Sequence, residues 1–357
     1  MLTVILPAHN EAHRLPACLA GLHAQTRPPD RIVVLADNCT DNTADVAAGQ
    51  GADVFVPHNN RLAKAGAINQ WLAANLDSMG GGDWLMVVDA DGVLDPDFIE
   101  NAIRWWKRGY AAVGGVFRAE STGTFVGWCQ ANEYERYRYL LRRSRGRTLV
   151  LTGTATLFTA GLAREILDGR RTGRIPSSGV TPERVYSHTT LTEDLELTLA
   201  IKALGHRVIA PIECSLTTEA MPTWGKLAAQ RYRWKLGALE TAWLYNPHYR
   251  HSFVFHRLQV WNLLGIFATL VYLATVVWAV WTDQFRLFPI WVAVTGIYMV
   301  ERAITVSGRG VRAAAGAALI LPEMLFDIVL QLVQLKAIAA WTFRRSSRGW
   351  YGEEVKE

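Results

Sequence analysis

The 357-residue sequence predicts an α/β fold: a mostly parallel sheet covered by helices on both faces, then an apolar helical segment. Three observations predict it. Short apolar runs alternate with stretches of helical spacing from residue 2 to residue 117, the pattern of strand–helix–strand units. The runs are continuously apolar and do not alternate with polar residues, so both faces of each strand are covered. From Phe253 onward Leu, Val, Ile, Ala and Trp dominate, which puts a boundary near residue 250.

The elements follow in order. LTVILPAHN (2–10) is a buried strand running into a loop, and EAHRLPACLAGLHAQ (11–25) has helical spacing. RIVVLADN (31–38) is the second strand, TDNTADVAAGQG (40–51) a helix stopped on Gly, and ADVFVPH (52–58) the third strand. AKAGAINQWLAANLDSM (63–79) is a helix and DWLMVVDAD (83–91) the fourth strand. PDFIENAIRWWKRG (96–109) is a helix with Pro96 near its start and Gly109 at its end, and YAAVGGVF (110–117) is the fifth strand. In such sheets ligands bind beyond the carboxyl ends of the strands, where PAHNE (7–11), ADNCTD (36–41) and DAD (89–91) all fall.

FVGWCQANEYERYRYLLRRSRGR (125–147) mixes aromatics with six arginines after residue 135, which predicts a helix on an anionic membrane surface, aromatics down and Arg out; a solvated helix is the plainer alternative. Residues 165–190 are polar and rich in Gly, Pro and Arg, hence a long loop. TLTEDLELTLAIKALG (190–205) is a helix with Thr190 and Glu193 at capping-box spacing.

Residues 258–281 run 24 residues without a charge, long enough to span a bilayer. LFPIWVAVTGIYMV (287–300) is a weaker second span, ending at Glu301 and Arg302. The third segment, 313–341, carries Glu323, Asp327 and Gln331 four residues apart, a stripe that faces protein or lies in the interface. Arg309, Arg312, Arg344, Arg345 and Arg348 flank it, so both ends are expected in the cytoplasm, with two full spans and an interfacial or re-entrant third segment. The formal charge of +5 fits an anionic membrane face better than nucleic acid, because the arginines cluster beside the apolar segments. Cys18, Cys39, Cys129 and Cys214 lack metal-ligand spacing and are expected as reduced thiols; no signal peptide is expected before the first strand.

Asp89 and Asp91 close the fourth strand one residue apart. Carboxylates are hard ligands suited to Mg²⁺ or Mn²⁺, and such ions commonly keep one or two protein carboxylates and complete their shell with substrate phosphates. Asp-x-Asp alone is a common pattern, and loops favour acids. It gains weight beside PAHNE (7–11), ADNCTDNTA (36–44), LTED (191–194) and QRYRW (230–234).

In that order these elements resemble the membrane-bound family 2 glycosyltransferases of the GT-A fold, which include cellulose, chitin, hyaluronan and poly-N-acetylglucosamine synthases. The resemblance covers roughly residues 2–245, and Q-x-x-R-W is its most specific element. It implies a UDP-sugar donor, with Asp37 at the uracil, and Pro7, Asn10, Glu11, Lys64, Asp89 and Arg233 around the nucleotide and diphosphate. It implies a divalent cation at Asp89 and Asp91, and Asp194 as the general base of an inverting displacement. Glu193, Gln230 and Trp234 would meet a saccharide or lipid-linked acceptor. The residue-level alternatives are an Asx turn for Asp37, a solvated lysine for Lys64, helix capping for Asp194 and an interfacial anchor for Trp234. Ala36 stands where the family often has an earlier Asp.

The expected layout is a cytoplasmic GT-A domain over 1–245, a membrane domain of two to three hydrophobic helices over 250–343, and a cytoplasmic tail over 344–357, all at the inner cell membrane. Membrane helices are expected only after the catalytic domain, too few to enclose a polysaccharide channel, so either several copies assemble or the product is short or lipid-attached. Transfer to polyprenyl phosphate is the second enzymatic reading, but enzymes of that kind typically lack Q-x-x-R-W. A non-catalytic sugar-nucleotide sensor would have lost the carboxylates present here.

Overall fold

Each apolar run of the first half becomes a strand. The computed structural model describes residues 1–246, 252–283 and 289–343. The elements are β1 (Leu2–Ala8), α1 (Leu15–His23), β2 (Arg31–Ala36), α2 (Thr43–Gly49), β3 (Asp53–Phe55), α3 (Ala63–Asn75), β4 (Trp84–Val88), β5 (Val93–Leu94), α4 (Phe98–Lys107), β6 (Ala112–Gly114) and β7 (Val116–Ala119). Then come α5 (Phe125–Arg143), β8 (Ala155–Thr159), α6 (Ala160–Arg171), α7 (Glu193–Ala203), β9 (Val208–Ile209), β10 (Ser215–Thr218) and α8 (Trp224–Tyr245). The chain ends in α9 (Ser252–Trp281), α10 (Pro289–Val306), α11 (Val311–Ala318) and α12 (Leu321–Thr342).

The main sheet has the order β3-β2-β1-β4-β8-β6-β9. It is parallel except at β8, which runs antiparallel to both β4 and β6. The expected fifth strand divides: β6 stays in the main sheet, while β7 joins β10 and β5 in a small second sheet. Strand period sends successive side chains to opposite faces. Ile5, Val33 and Val87 pack with Ile68, Trp71 and Phe158 on one side, and Val4, Val34 and Met86 pack with Leu15, Leu19 and Phe98 on the other. Burying each large aliphatic chain stabilises the fold by about 1.5–3 kcal/mol.

Four expectations change. Residues 165–171 belong to α6, and the loop after them is tied down: Arg170 donates to Pro176 O, Val185 O and both carboxylate oxygens of Glu196. The capping box does not form, because α7 starts at Glu193 with Thr192 as its cap and no side-chain cap bond. On α5, Tyr134 and Tyr137 pack on Phe117 and Arg136 pairs with Glu323, so these residues face protein, while Phe125 is 44% exposed.

The fourth change concerns the apolar part. Among the described residues two helices are long and apolar enough to cross a membrane, Val260–Trp281 and Leu321–Thr342. The expected second span is α10, which carries Glu301 and Arg302 within its length, whereas the third segment supplies a full-length apolar helix. The polar stripe of α12 faces protein. Glu323 is 1% exposed and accepts from Asn132, Arg136 and Arg302; Asp327 accepts from Arg302, and Gln331 donates to Thr269. The tail 344–357 lies outside the described residues.

Candidate active site

The carboxyl ends of β1, β2 and β4 meet the start of α7 and one flank of α8 around a cavity of about 520 Å³. Pro7, Glu11, Asp37, Lys64, Asp89, Asp91, Glu193, Asp194, Gln230, Arg233 and Trp234 all line it. Asn10 does not. Its left-handed backbone (φ 58°) turns the chain after β1, and its Oδ1 accepts from Thr40 N at 2.7 Å, so it shapes the neighbouring loop rather than the cavity.

The turn after β4 explains the paired carboxylates. Asp89 N donates to Thr154 O, prolonging the pairing toward β8, and Gly92 N donates to Asp89 O at 2.9 Å to close a tight turn. Asp91 Oδ2 accepts from the Thr218 hydroxyl at 3.1 Å, on the small sheet. Burial, and then the charge of Asp89, raise the Asp91 carboxyl above the usual range. Glu11 is pushed up to about 7 by burial and then by Asp91, with Arg14 opposing. Arg14 is shared between Glu120 and Glu219 at the rim. Crowded oxygen ligands with excess negative charge are a donor set that fits a hard divalent cation. Among the described residues no group of three or more acidic, His or Cys side chains is arranged to hold a metal ion by itself.

Lys64 lines the cavity and is held among its carboxylates. Its Nζ sits 2.5 Å from Asp89 Oδ1, 2.9 Å from Gly153 O and 3.5 Å from Glu193, so it links the carboxylate pair to the start of α7. Burial disfavours its charge, but Asp89 and Glu193 outweigh that and raise its pKa. Asp194 accepts from Gly153 N (2.9 Å) through Oδ2 and from Leu195 N (2.8 Å) through Oδ1. Burial raises its pKa, while Lys64 and the two amides pull the other way. Burial likewise raises Glu193, against Lys64.

Sequence reading passed over Gly153, in LTGTATL, although the polar T-G-T inside an apolar run was a signal. A Cβ there would lie 3.1 Å from Lys64 Nζ and 3.3 Å from Asp194 Oδ2, tight enough to press both side chains aside by a few tenths of an ångström. It also missed Thr218, which is recognisable only once β10 is seen beside β5.

Asp37 is 3% exposed and accepts from Asn60 Nδ2 (2.8 Å) and Asn38 Nδ2 (3.0 Å). The glycine of KAG keeps that arrangement open: a Cβ on Gly66 would lie 2.0 Å from Asn60 Oδ1. On α8, Gln230 Oε1 is buried with no hydrogen-bond partner in the protein. An unmatched buried acceptor costs about 1–3 kcal/mol, which a ligand hydroxyl would recover.

Comparison with known proteins gives the same direction. Residues 3–167 match the family model described as Glycosyl transferase family 2. Poly-beta-1,6-N-acetyl-D-glucosamine synthase of Staphylococcus aureus (strain COL) is 25% identical over 249 residues, covering 67% of this chain and 55% of that one. The same-named protein of Staphylococcus epidermidis is 24% identical over 247 residues with the same coverage. The chain thus spans about half the length of the curated relatives it matches. Among solved structures, mannosyltransferase PcManGT from Pyrobaculum calidifontis, in complex with GDP-Man and Mn²⁺, is similar in fold at a TM-score of 0.62 and 19% identity, over 97% of this chain and 88% of that one. Residues 3–167, which build the cavity's strand ends at the sheet's carboxyl edge, are thus similar to the family 2 glycosyltransferases.

Proposed function

We propose that this chain transfers glucose or N-acetylglucosamine from a UDP-sugar to a saccharide acceptor at a membrane, inverting the anomeric carbon. The observation that carries the reading is the convergence on one cavity of Asp37, the Asp89–Asp91 pair, Asp194 and the Gln230–Arg233–Trp234 face, which come from four distant parts of the sequence. A volume of about 520 Å³ suits a nucleotide-sugar with one acceptor ring.

Asp37, held by Asn38 and Asn60, accepts an N–H of the uracil edge. Asp89 and Asp91 would hold Mg²⁺ or Mn²⁺, which when bound neutralises charge on the diphosphate. Arg233 adds a fixed cation for the same charge. Gln230 Oε1 takes an acceptor hydroxyl, and Trp234 offers an apolar ring face to the sugar. Asp194 receives the proton of the attacking hydroxyl. The new bond forms between that oxygen and the anomeric carbon, the bond from that carbon to the diphosphate oxygen breaks, and the electron pair leaves with UDP. Burial raises the pKa of Asp194, the direction that strengthens a carboxylate as a base. The exposed apolar α9 and the apolar outer side of α12 support a membrane location for the acceptor end.

A donor screen on the purified chain in detergent tests this. UDP release from UDP-glucose or UDP-N-acetylglucosamine, dependent on Mg²⁺ or Mn²⁺, is expected. Radiolabel appearing only in lipid extracts on thin-layer analysis would favour the polyprenyl phosphate reading, and release from no UDP-sugar would overturn the donor assignment.

A further inference from the structure

Arg231 lies between Gln230 and Arg233 on α8 but is absent from the cavity wall. It is 3% exposed, and its Nη2 donates to Glu133 Oε2 of α5 at 2.5 Å. Its guanidinium carbon lies 4.2 Å from the centroid of the Trp234 ring and 5.8 Å from that of Tyr134. Both rings line the cavity, and Tyr134 continues edge-on into Phe117, another lining residue, at 4.4 Å between centroids. Arg231 Nε is buried without a hydrogen-bond partner, so the ring faces supply part of what stabilises this charge.

Arg231 and Trp234 are three apart on one helix face and therefore neighbours. The aromatic wall of the cavity is assembled from two helices, α8 and α5, and the Glu133–Arg231 ion pair crosses between them here. A Trp ring in an open cavity has several staggered rotamers available; a guanidinium stacked behind it selects one. We propose that Glu133 and Arg231 are positioning residues that fix the Trp234 and Tyr134 ring faces and thereby set affinity for the acceptor sugar. This rests on the transferase reading above.

The test uses the full chain in detergent with 5-fluorotryptophan incorporated, the Trp234 fluorine signal being assigned by its loss in Trp234→Phe. Kinetics are measured with a short N-acetylglucosamine oligomer as acceptor. Arg231→Met is expected to shift and broaden the Trp234 signal and to raise the acceptor KM about tenfold, the loss of a desolvated cation–π contact. The turnover number and UDP affinity are expected to stay within about twofold, since ring positioning acts on acceptor binding. Arg231→Lys should recover part of the KM, and Glu133→Gln should move both readouts the same way by less. Glu133 is a third exposed, so its variant carries the test if Arg231→Met does not fold. An unchanged Trp234 signal in the variants, or equal KM increases for donor and acceptor, would overturn the proposal. A wild-type chain that transfers no sugar would sink the transferase reading instead, while the fluorine signal still decides whether the pair fixes the ring.

Discussion

At the scale of the residue, the site is a crowd of carboxylates, two of which, Asp89 and Glu193, are joined through Lys64. Glu11 is raised to about 7 because it is buried beside Asp91. A carboxyl whose pKa is raised on folding binds its proton more tightly in the folded state, so its contribution to stability falls as pH rises from about 4.5 through 7. We expect the thermal midpoint to decline over that interval in metal-free buffer, and Glu11→Gln to flatten the decline; equal pH dependence in both proteins would contradict the cause assigned. Gly153 offers a second measurement. Its alanine variant would push on Lys64 Nζ and Asp194 together, so transfer should drop about 10²-fold by misplacing the reacting groups while UDP affinity changes little. A fall in UDP affinity of the same size would mean that the donor side had collapsed.

At the scale of the element, strands and helices of the first 117 residues were legible because continuous apolar runs and glycine stops leave few alternatives. What escaped was long-range. Nothing local in YAAVGGVF says that Gly114 closes one strand and that Val116 opens another in a different sheet. The polar stretch after residue 165 reads as loose, yet the fully buried Arg170–Glu196 pair, joined by the Tyr245 hydroxyl at 2.5 Å, pins it to α7 and α8. Breaking a buried pair by removing one partner costs about 3–5 kcal/mol. Arg170→Met should therefore lower the denaturation midpoint strongly and release the 172–190 segment to protease, whereas an unchanged cleavage pattern would mean that the segment is held otherwise.

At the scale of the whole molecule, the site residues were legible as short motifs, but their convergence depends on the fold: Gly153, just before β8 where it runs antiparallel beside β4, donates its N–H to Asp194 and accepts from Lys64. The stripe on α12 was visible by its spacing, while its partners Asn132, Arg136 and Arg302 came from elements whose packing the spacing does not encode. Glu323→Ala should loosen the terminal helices from the domain and raise proteolysis between them, with UDP affinity retained; retained resistance would mean that apolar packing suffices.

The central claim is that donor binding and proton acceptance are separate tasks of one cavity, and Asp194→Asn tests it most directly. Asparagine keeps the size of the side chain and can accept from one of the two backbone amides that Asp194 holds, Gly153 N or Leu195 N, but takes no proton. UDP affinity by calorimetry and product formation are measured on the same preparation. We expect affinity near wild type and transfer lower by about 10²–10⁴-fold, the usual contribution of a general base. Wild-type transfer by Asp194→Asn would leave Asp194 only a structural role in the first turn of α7 and would contradict the account.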